Sequence, residues 1–199
     1  MRSESLVCLA TMETDVPYLS GNNRRPKHML FKGKSVIPPE RSVLFVCMGN
    51  ICRSPTAEGV FRAAAERAGI APLLCIDSAG TGKWHVGEPP DRRAQLSAKR
   101  RGYDLAALRA RQVTEADFLR FGWIFAMDEV NLRELQELRP PEFNGHLGLF
   151  LDIVDSSRVR EVPDPYYGGP DGFDHVLNLI EGACEALIAR LRSEVLGVV

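Results

Sequence analysis

At 199 residues with a formal net charge of −1, the chain has room for one domain with a full core plus an appendage, and nothing in its charge suggests general affinity for nucleic acid or a membrane surface. Its 45% apolar and 26% charged residues are ordinary for a globular protein, and no apolar run approaches the ~20 residues of a membrane-spanning helix. The 5 cysteines and 4 histidines are scattered without C-x-x-C spacing, which argues against a disulfide framework or a structural metal site and makes a reducing cytoplasm the default.

Residues 1–40 carry Pro17, Gly21, Asn22, Asn23, Pro26, Pro38 and Pro39 with no sustained period, so a poorly structured extension is expected ahead of a domain over 41–199. Residues 5–10 are too short for a secretory core, and Glu4, Glu13 and Asp15 argue against a transit peptide. Arg24-Arg25-Pro26-Lys27-His28 reads as a solvated basic cluster. The run from Val43 to Val46 is a short, fully buried strand. A loop from Cys47 to Ser54 follows, and Pro55 suits the first position of a helix. Ala57, Val60, Phe61, Ala64 and Ala68 share one face of that helix, which Gly69 stops. Residues 73–78 are the second strand, so the two strands and their helix form a right-handed parallel crossover. Residues 79–90 are expected as a loop at the carboxyl edge of the sheet, the edge where open α/β folds bind ligands.

Residues 91–101 read as a helix stopped by Gly102, and residues 114–118 as a short turn. Residues 123–127 are a third buried strand. Asp128 caps a helix with Leu132, Leu135 and Leu138 on its apolar face, which Pro140 and Pro141 end. A fourth strand lies within 147–154. A Pro/Gly-rich loop over 162–170 leads to a last helix carrying Val176, Leu177, Ile180, Cys184, Leu187 and Leu191 on one face. The alternation predicts a doubly wound α/β fold: a four-stranded parallel sheet flanked by helices, with an anion-binding loop after the first strand. Cys75 and Cys184 read as small buried hydrophobes, Arg111 as half of a structural ion pair, and His85 as a surface loop residue.

The loop between the first strand and first helix carries the chemistry. Its backbone N–H groups and the helix N-terminus make an anion cradle, to which Arg53 adds a planar charged fork. That field favours Cys47 as a thiolate. A thiolate beneath an oxyanion cradle is a nucleophile aimed at phosphorus.

Cys47-Met48-Gly49-Asn50-Ile51-Cys52-Arg53-Ser54 resembles the phosphate loop of the low-molecular-weight protein tyrosine phosphatases, and Asp164-Pro165-Tyr166-Tyr167 resembles their general-acid loop. Ser78-Ala79-Gly80-Thr81, Ala110-Arg111-Gln112 and the run from Ala126 to Leu132 are similar to further segments of that family, so the resemblance covers about residues 42–192. It implies Cys47 as nucleophile, Arg53 as phosphate ligand and Asp164 as general acid and then base. It also implies that Met48, Gly49, Asn50, Ile51, Cys52 and Ser54 cradle the substrate, with Ser54 donating to Cys47 and Asn50 taking the strained backbone conformation that Asn tolerates. Ile51, Trp84 and Tyr166 would form flat apolar walls, with Tyr167 nearby. A Thr stands at the Ile51 position in related arginine phosphatases, so Ile51 favours phosphotyrosine. Cys52 is the implied redox partner of Cys47.

The resemblance further implies no cofactor and no metal, because Arg53 and the loop dipoles neutralise the phosphate. The expected partner is a phosphotyrosine-bearing protein or aryl phosphate, with no nucleic acid and no membrane, and the chain is expected to be a monomer or weak homodimer. Arsenate reduction, phosphoarginine hydrolysis and non-catalytic phosphate binding are the competing readings. The chain departs from the family pattern at Leu108, where His is frequent, and at Gly122, where Asp is frequent.

Overall fold

A computed structural model describes residues 37–154, 159–166, 169–194 and 197. The readings made on residues 1–36 and on Tyr167 lie outside these described residues. The elements run β1 (Ser42–Cys47), α1 (Arg53–Arg67), β2 (Cys75–Gly80), α2 (Arg92–Arg100), α3 (Asp117–Arg120), β3 (Trp123–Ala126), α4 (Glu129–Leu138), β4 (His146–Leu149) and α5 (Pro170–Glu194). All strand pairs are parallel, in the order β2-β1-β3-β4. This is the doubly wound α/β sheet expected.

β1 is central, and all of its residues are buried. Its alternation divides the core into two layers, since successive side chains leave opposite faces of a strand. Val43, Phe45 and Cys47 face α1 and α5, where Phe61, Phe125, Phe150, Leu177 and Ile180 pack. Leu44 and Val46 face the other layer with Phe118, Phe121, Ile124 and Leu135. Phe45 meets Phe61 and Phe150 edge-on, with ring centroids 5.5 and 4.9 Å away. Burying each such ring contributes about 1.5–3 kcal/mol. The β2-β1-β3 order places the topological switch beside β1, so the end of β1 at Cys47 opens onto the crevice where such folds bind ligands.

Several boundaries differ from the sequence reading, each because of a contact distant in sequence. α1 begins at Arg53, two residues before Pro55, which still sits in the first turn where a missing N–H costs nothing. β2 starts later and runs through Ala79 and Gly80, because Gly80 lies in register with Cys47 and exchanges backbone hydrogen bonds with Arg111 and Val113. The fourth strand spans only His146–Leu149, and Phe150–Ile153 turns as a 3-10 helix that buries Phe150 and Leu151. The turn near residue 117 continues as the one-turn helix α3.

Another 3-10 turn, Pro39–Arg41, precedes β1 and packs against the end of the sheet. Gly122 N–H donates to Pro39 O at 2.8 Å, and Trp123 Nε1–H donates to Glu40 O at 3.0 Å. A Cβ on Gly122 would stand 2.5 Å from that Pro39 oxygen, so an Asp there would collide. Cys184 is a buried free thiol as expected, whereas Cys75, expected as a plain buried thiol, is buried and disulfide-bonded. Arg111 makes the expected ion pairs, at 3.0 Å to both Asp77 and Asp117.

Candidate active site

The loop from Cys47 to Arg53 turns sharply between β1 and α1. Asn50 takes φ 55° there, the only non-glycine residue with positive φ among the described residues, and Asn pays less for that conformation than other side chains. No protein acceptor among the described residues takes the amide hydrogens of Gly49, Ile51, Cys52 or Arg53. Four amides without protein partners in one loop at a helix N-terminus form a site for an anion.

Behind the loop lies a buried polar chain. Asn50 Nδ2–H donates to Ser54 Oγ and to Ser78 Oγ, both at 2.9 Å, and Ser78 Oγ–H donates to Glu58 Oε2 at 2.7 Å. Arg111 N–H donates to Asn50 Oδ1 at 2.9 Å, which occupies both ends of the amide. Burial pushes the Glu58 carboxyl up, and Arg62 pulls it back. Ser54 Oγ lies 3.0 Å from Cys47 Sγ and 3.1 Å from Ala79 O, so its single hydrogen can serve either. Asn50 N–H also donates to Cys47 Sγ at 3.3 Å. Leu108 replaces the frequent family His, and here the chain closes through Glu58, Ser78 and Asn50 without it.

Arg53 is 3% exposed and crosses the crevice floor. Its Nη1 donates to Asp128 Oδ2 at 2.5 Å and to Val162 O at 3.2 Å, and its Nη2 to Asp164 Oδ2 at 3.1 Å. Burial alone would pull its pKa down, but Cys47 and the two carboxylates outweigh that and raise it, so the guanidinium stays charged. Asp128 has two tasks: its Oδ1 caps α4 by accepting from Asn131 N–H at 2.7 Å, while its Oδ2 holds Arg53. Asp164, 43% exposed, reaches in from the opposite loop.

Cys47, Met48, Gly49, Ile51, Cys52, Arg53, Trp84, Asp164 and Tyr166 line one cavity of about 200 Å³. Asn50 and Ser54 stand behind it rather than in its wall. One further wall residue, His85, is expected from the sequence only as part of a surface loop. His85 lies against Gly49, and its Nδ1 is 2.7 Å from Glu88 Oε2. Its position beside Trp84, with an acid three residues on, is the signal that marks it. The Trp84 ring, though exposed, lies close against Gly82: a Cβ there would fall 1.7 Å from Cζ3. Cys52 is a buried free thiol at the start of α1, and burial, then Asp91 and Cys47, push it well up.

Residues 42–196 match the sequence profile of the low molecular weight phosphotyrosine protein phosphatases. The chain belongs to that family. It is 43% identical to the low molecular weight protein-tyrosine-phosphatase YfkJ of Bacillus subtilis, over 77% of this chain and 97% of that one. The crystal structure of YfkJ superposes with a TM-score of 0.74, at 41% identity over 82% of this chain and 99% of that one. The human low molecular weight phosphotyrosine protein phosphatase is 38% identical over 75% of this chain and 95% of its own length. The Drosophila arginine phosphatase is 31% identical with a TM-score of 0.72, over 76% of this chain and 98% of that one. This member of the family thus carries Ile51 and His85 in the wall of one cavity, with Asp128 clamping the Arg53 that lines it. No group of three or more His, Cys, Asp or Glu side chains is placed to hold a metal ion among the described residues, and no described helix is long and apolar enough to cross a membrane.

Proposed function

We propose that this phosphatase hydrolyses phosphotyrosine in proteins, and aryl phosphates generally, through a phosphocysteine intermediate. The observation that carries this is the convergence of Cys47, Arg53 and Asp164 on one cavity walled by Ile51, Trp84 and Tyr166. A phosphate dianion takes the free loop amides and the Arg53 Nη2–H that Asp164 now accepts. That releases the Asp164 carboxyl toward the leaving oxygen. The Cys47 thiolate attacks phosphorus in line, with Ser54 Oγ–H turned from Ala79 O toward Sγ. The P–O bond breaks as Asp164 gives its proton to the departing phenolate. Water then attacks the phosphocysteine, its proton passes to Asp164, and phosphate and the thiolate are regenerated.

Ile51 favours the aromatic ester over phosphoarginine, since it offers a flat apolar contact and no hydrogen-bond partner for a guanidino group. The same loop supports redox control. Peroxide oxidises Cys47 to the sulfenic acid, and condensation with the Cys52 thiol expels water and closes a disulfide. Cys52, held protonated by its burial, is not itself the first target of the oxidant.

Purified protein hydrolyses an aryl phosphate with chelator present, and a panel of phosphotyrosine, phosphoarginine and phosphoserine peptides plus arsenate ranks phosphotyrosine first. Preference for phosphoarginine or arsenate in that panel refutes the substrate assignment. Mass spectrometry after mild peroxide finds a Cys47–Cys52 linkage; sulfinic acid on Cys47 alone refutes the protective disulfide.

A further inference from the structure

The Asp164 loop approaches the cavity from outside the sheet, and a chain of contacts ties it to the phosphate loop. Asp91 N–H donates to Ile51 O at 2.7 Å, which fixes the start of α2 to the phosphate loop. The Asp91 carboxylate caps α2 by accepting from Arg93 N–H at 2.7 Å. The same carboxylate takes the Arg93 fork, Oδ1 from Nε at 3.0 Å and Oδ2 from Nη2 at 2.9 Å. The remaining arm, Nη1, donates to Tyr166 O at 2.9 Å. The guanidinium lies over the Tyr166 ring at 5.1 Å and over the Phe173 ring at 4.9 Å. Tyr166 N–H in turn donates to Asp164 Oδ1 at 3.0 Å.

Each link is directional. A bidentate carboxylate pair fixes the plane of a guanidinium, and two aromatic rings fix its height. The held plane then presents one N–H to one carbonyl, two residues from the acid. We propose that Arg93, buttressed by Asp91, is a positioning residue that sets where the Asp164 carboxyl stands over the phosphate loop. This rests on the reading of Asp164 as the general acid. Arg93 touches neither the sulfur nor the phosphate site, and its side chain is 45% exposed. Exposed ion pairs contribute little to folding stability, so removing it is felt in the placement of the acid more than in the stability of the domain.

Leaving groups separate the two roles. A phenol of ordinary acidity needs the proton in the transition state, and a strongly acidic one such as p-nitrophenol needs it far less. With Arg93→Ala, kcat/KM for phosphotyrosine falls about tenfold and that for p-nitrophenyl phosphate less than about threefold, as misplacement of a catalytic group by a fraction of an ångström predicts. The melting temperature stays within about 2 °C of the parent, as for other exposed ion pairs. Asp91→Asn, which can still cap α2 but cannot pair a charge with Arg93, shifts both substrates in the same sense and less. In an Asp164→Ala background, Arg93→Ala produces no further leaving-group discrimination. Equal losses on both substrates, or an Arg93→Ala effect undiminished in the Asp164→Ala background, overturn the positioning role. An Asp164→Ala variant that does not discriminate between leaving groups overturns the acid assignment itself, and the positioning role with it.

Discussion

The two loops that face each other across the cavity are held in opposite ways. The phosphate loop grows out of the most buried strand of the molecule: Cys47, Asn50, Arg53 and Ser54 are all within the core, braced by a chain of buried hydrogen bonds to Glu58 and Ser78. The Asp164 loop is exposed at its tip and is gripped by side chains that reach from elsewhere, Arg53 from below and Arg93 from α2. On the proposed mechanism, anion binding and nucleophile are thus preorganised by folding itself, whereas the proton donor sits where its placement can be adjusted. The difference leads to an expectation: damage to the first loop removes the chemistry, while damage to the second grades it by substrate.

The most severe way to break the comparison is Cys47→Ser. Turnover falls by roughly four orders of magnitude or more, as for other enzymes stripped of their nucleophile, and burst kinetics on p-nitrophenyl phosphate show no covalent intermediate. Asp164→Ala comes next: kcat/KM on phosphotyrosine drops about 10²–10³-fold, the usual worth of a general acid, and p-nitrophenyl phosphate is affected far less. A loss independent of leaving group would remove Asp164 from that role. Asn50→Ala tests how far the cradle depends on the core behind it. It removes hydrogen bonds to Ser54 and Ser78 and places a less tolerant residue at φ 55°, so kcat falls about 10–100-fold on every substrate alike. If Asn50→Ala discriminated between leaving groups, the division of labour between the loops would be wrong.

The smallest effect supplies a baseline outside both loops. His146, tilted against the rings of Trp123 and Phe125, is held below its ordinary pKa of 6.5 by burial and then by Arg190. The unfolded chain binds that proton more readily, so stability contributed by neutral His146 is present above pH 6.5 and is lost as pH falls through the lower folded value. Melting temperature therefore declines between neutral pH and pH 5 and declines less in His146→Gln, a difference on the order of a few degrees. A steeper decline in the variant would reverse the assignment.

The same contrast explains what the sequence disclosed. β1 and its loop were legible because both signals are local: an unbroken apolar run, then Cys47, Asn50, Arg53 and Ser54 at fixed spacing. α5 was legible because six apolar residues repeat on one helical face. The limits of β2 were not, because Gly80 joins the strand only through register with Cys47 and a bridge to Gln112. Gly122 is legible only as a departure from the family pattern, because the Pro39 oxygen that excludes a side chain there is distant in sequence. Arg93 stayed silent for the same reason, since its carbonyl partner, Tyr166, is 73 residues away. Asp164 is the instructive middle case. Before Pro165 it is only a turn residue, and its proposed role rests on facing a cradle that is legible in the local pattern.

One contact reaches further than its size suggests. The indole of Trp84 is 70% exposed and rests on the bare backbone of Gly82, where a single added carbon would occupy the space of its ring. An exposed ring can swing outward at little cost, so a change of one codon at position 82 would widen the mouth while the backbone bond from Gly82 N–H to Met48 O can stay in place. On the proposed function, the range of substrates admitted can thus drift during evolution through a residue outside the cavity lining, while the reaction beneath it stays the same.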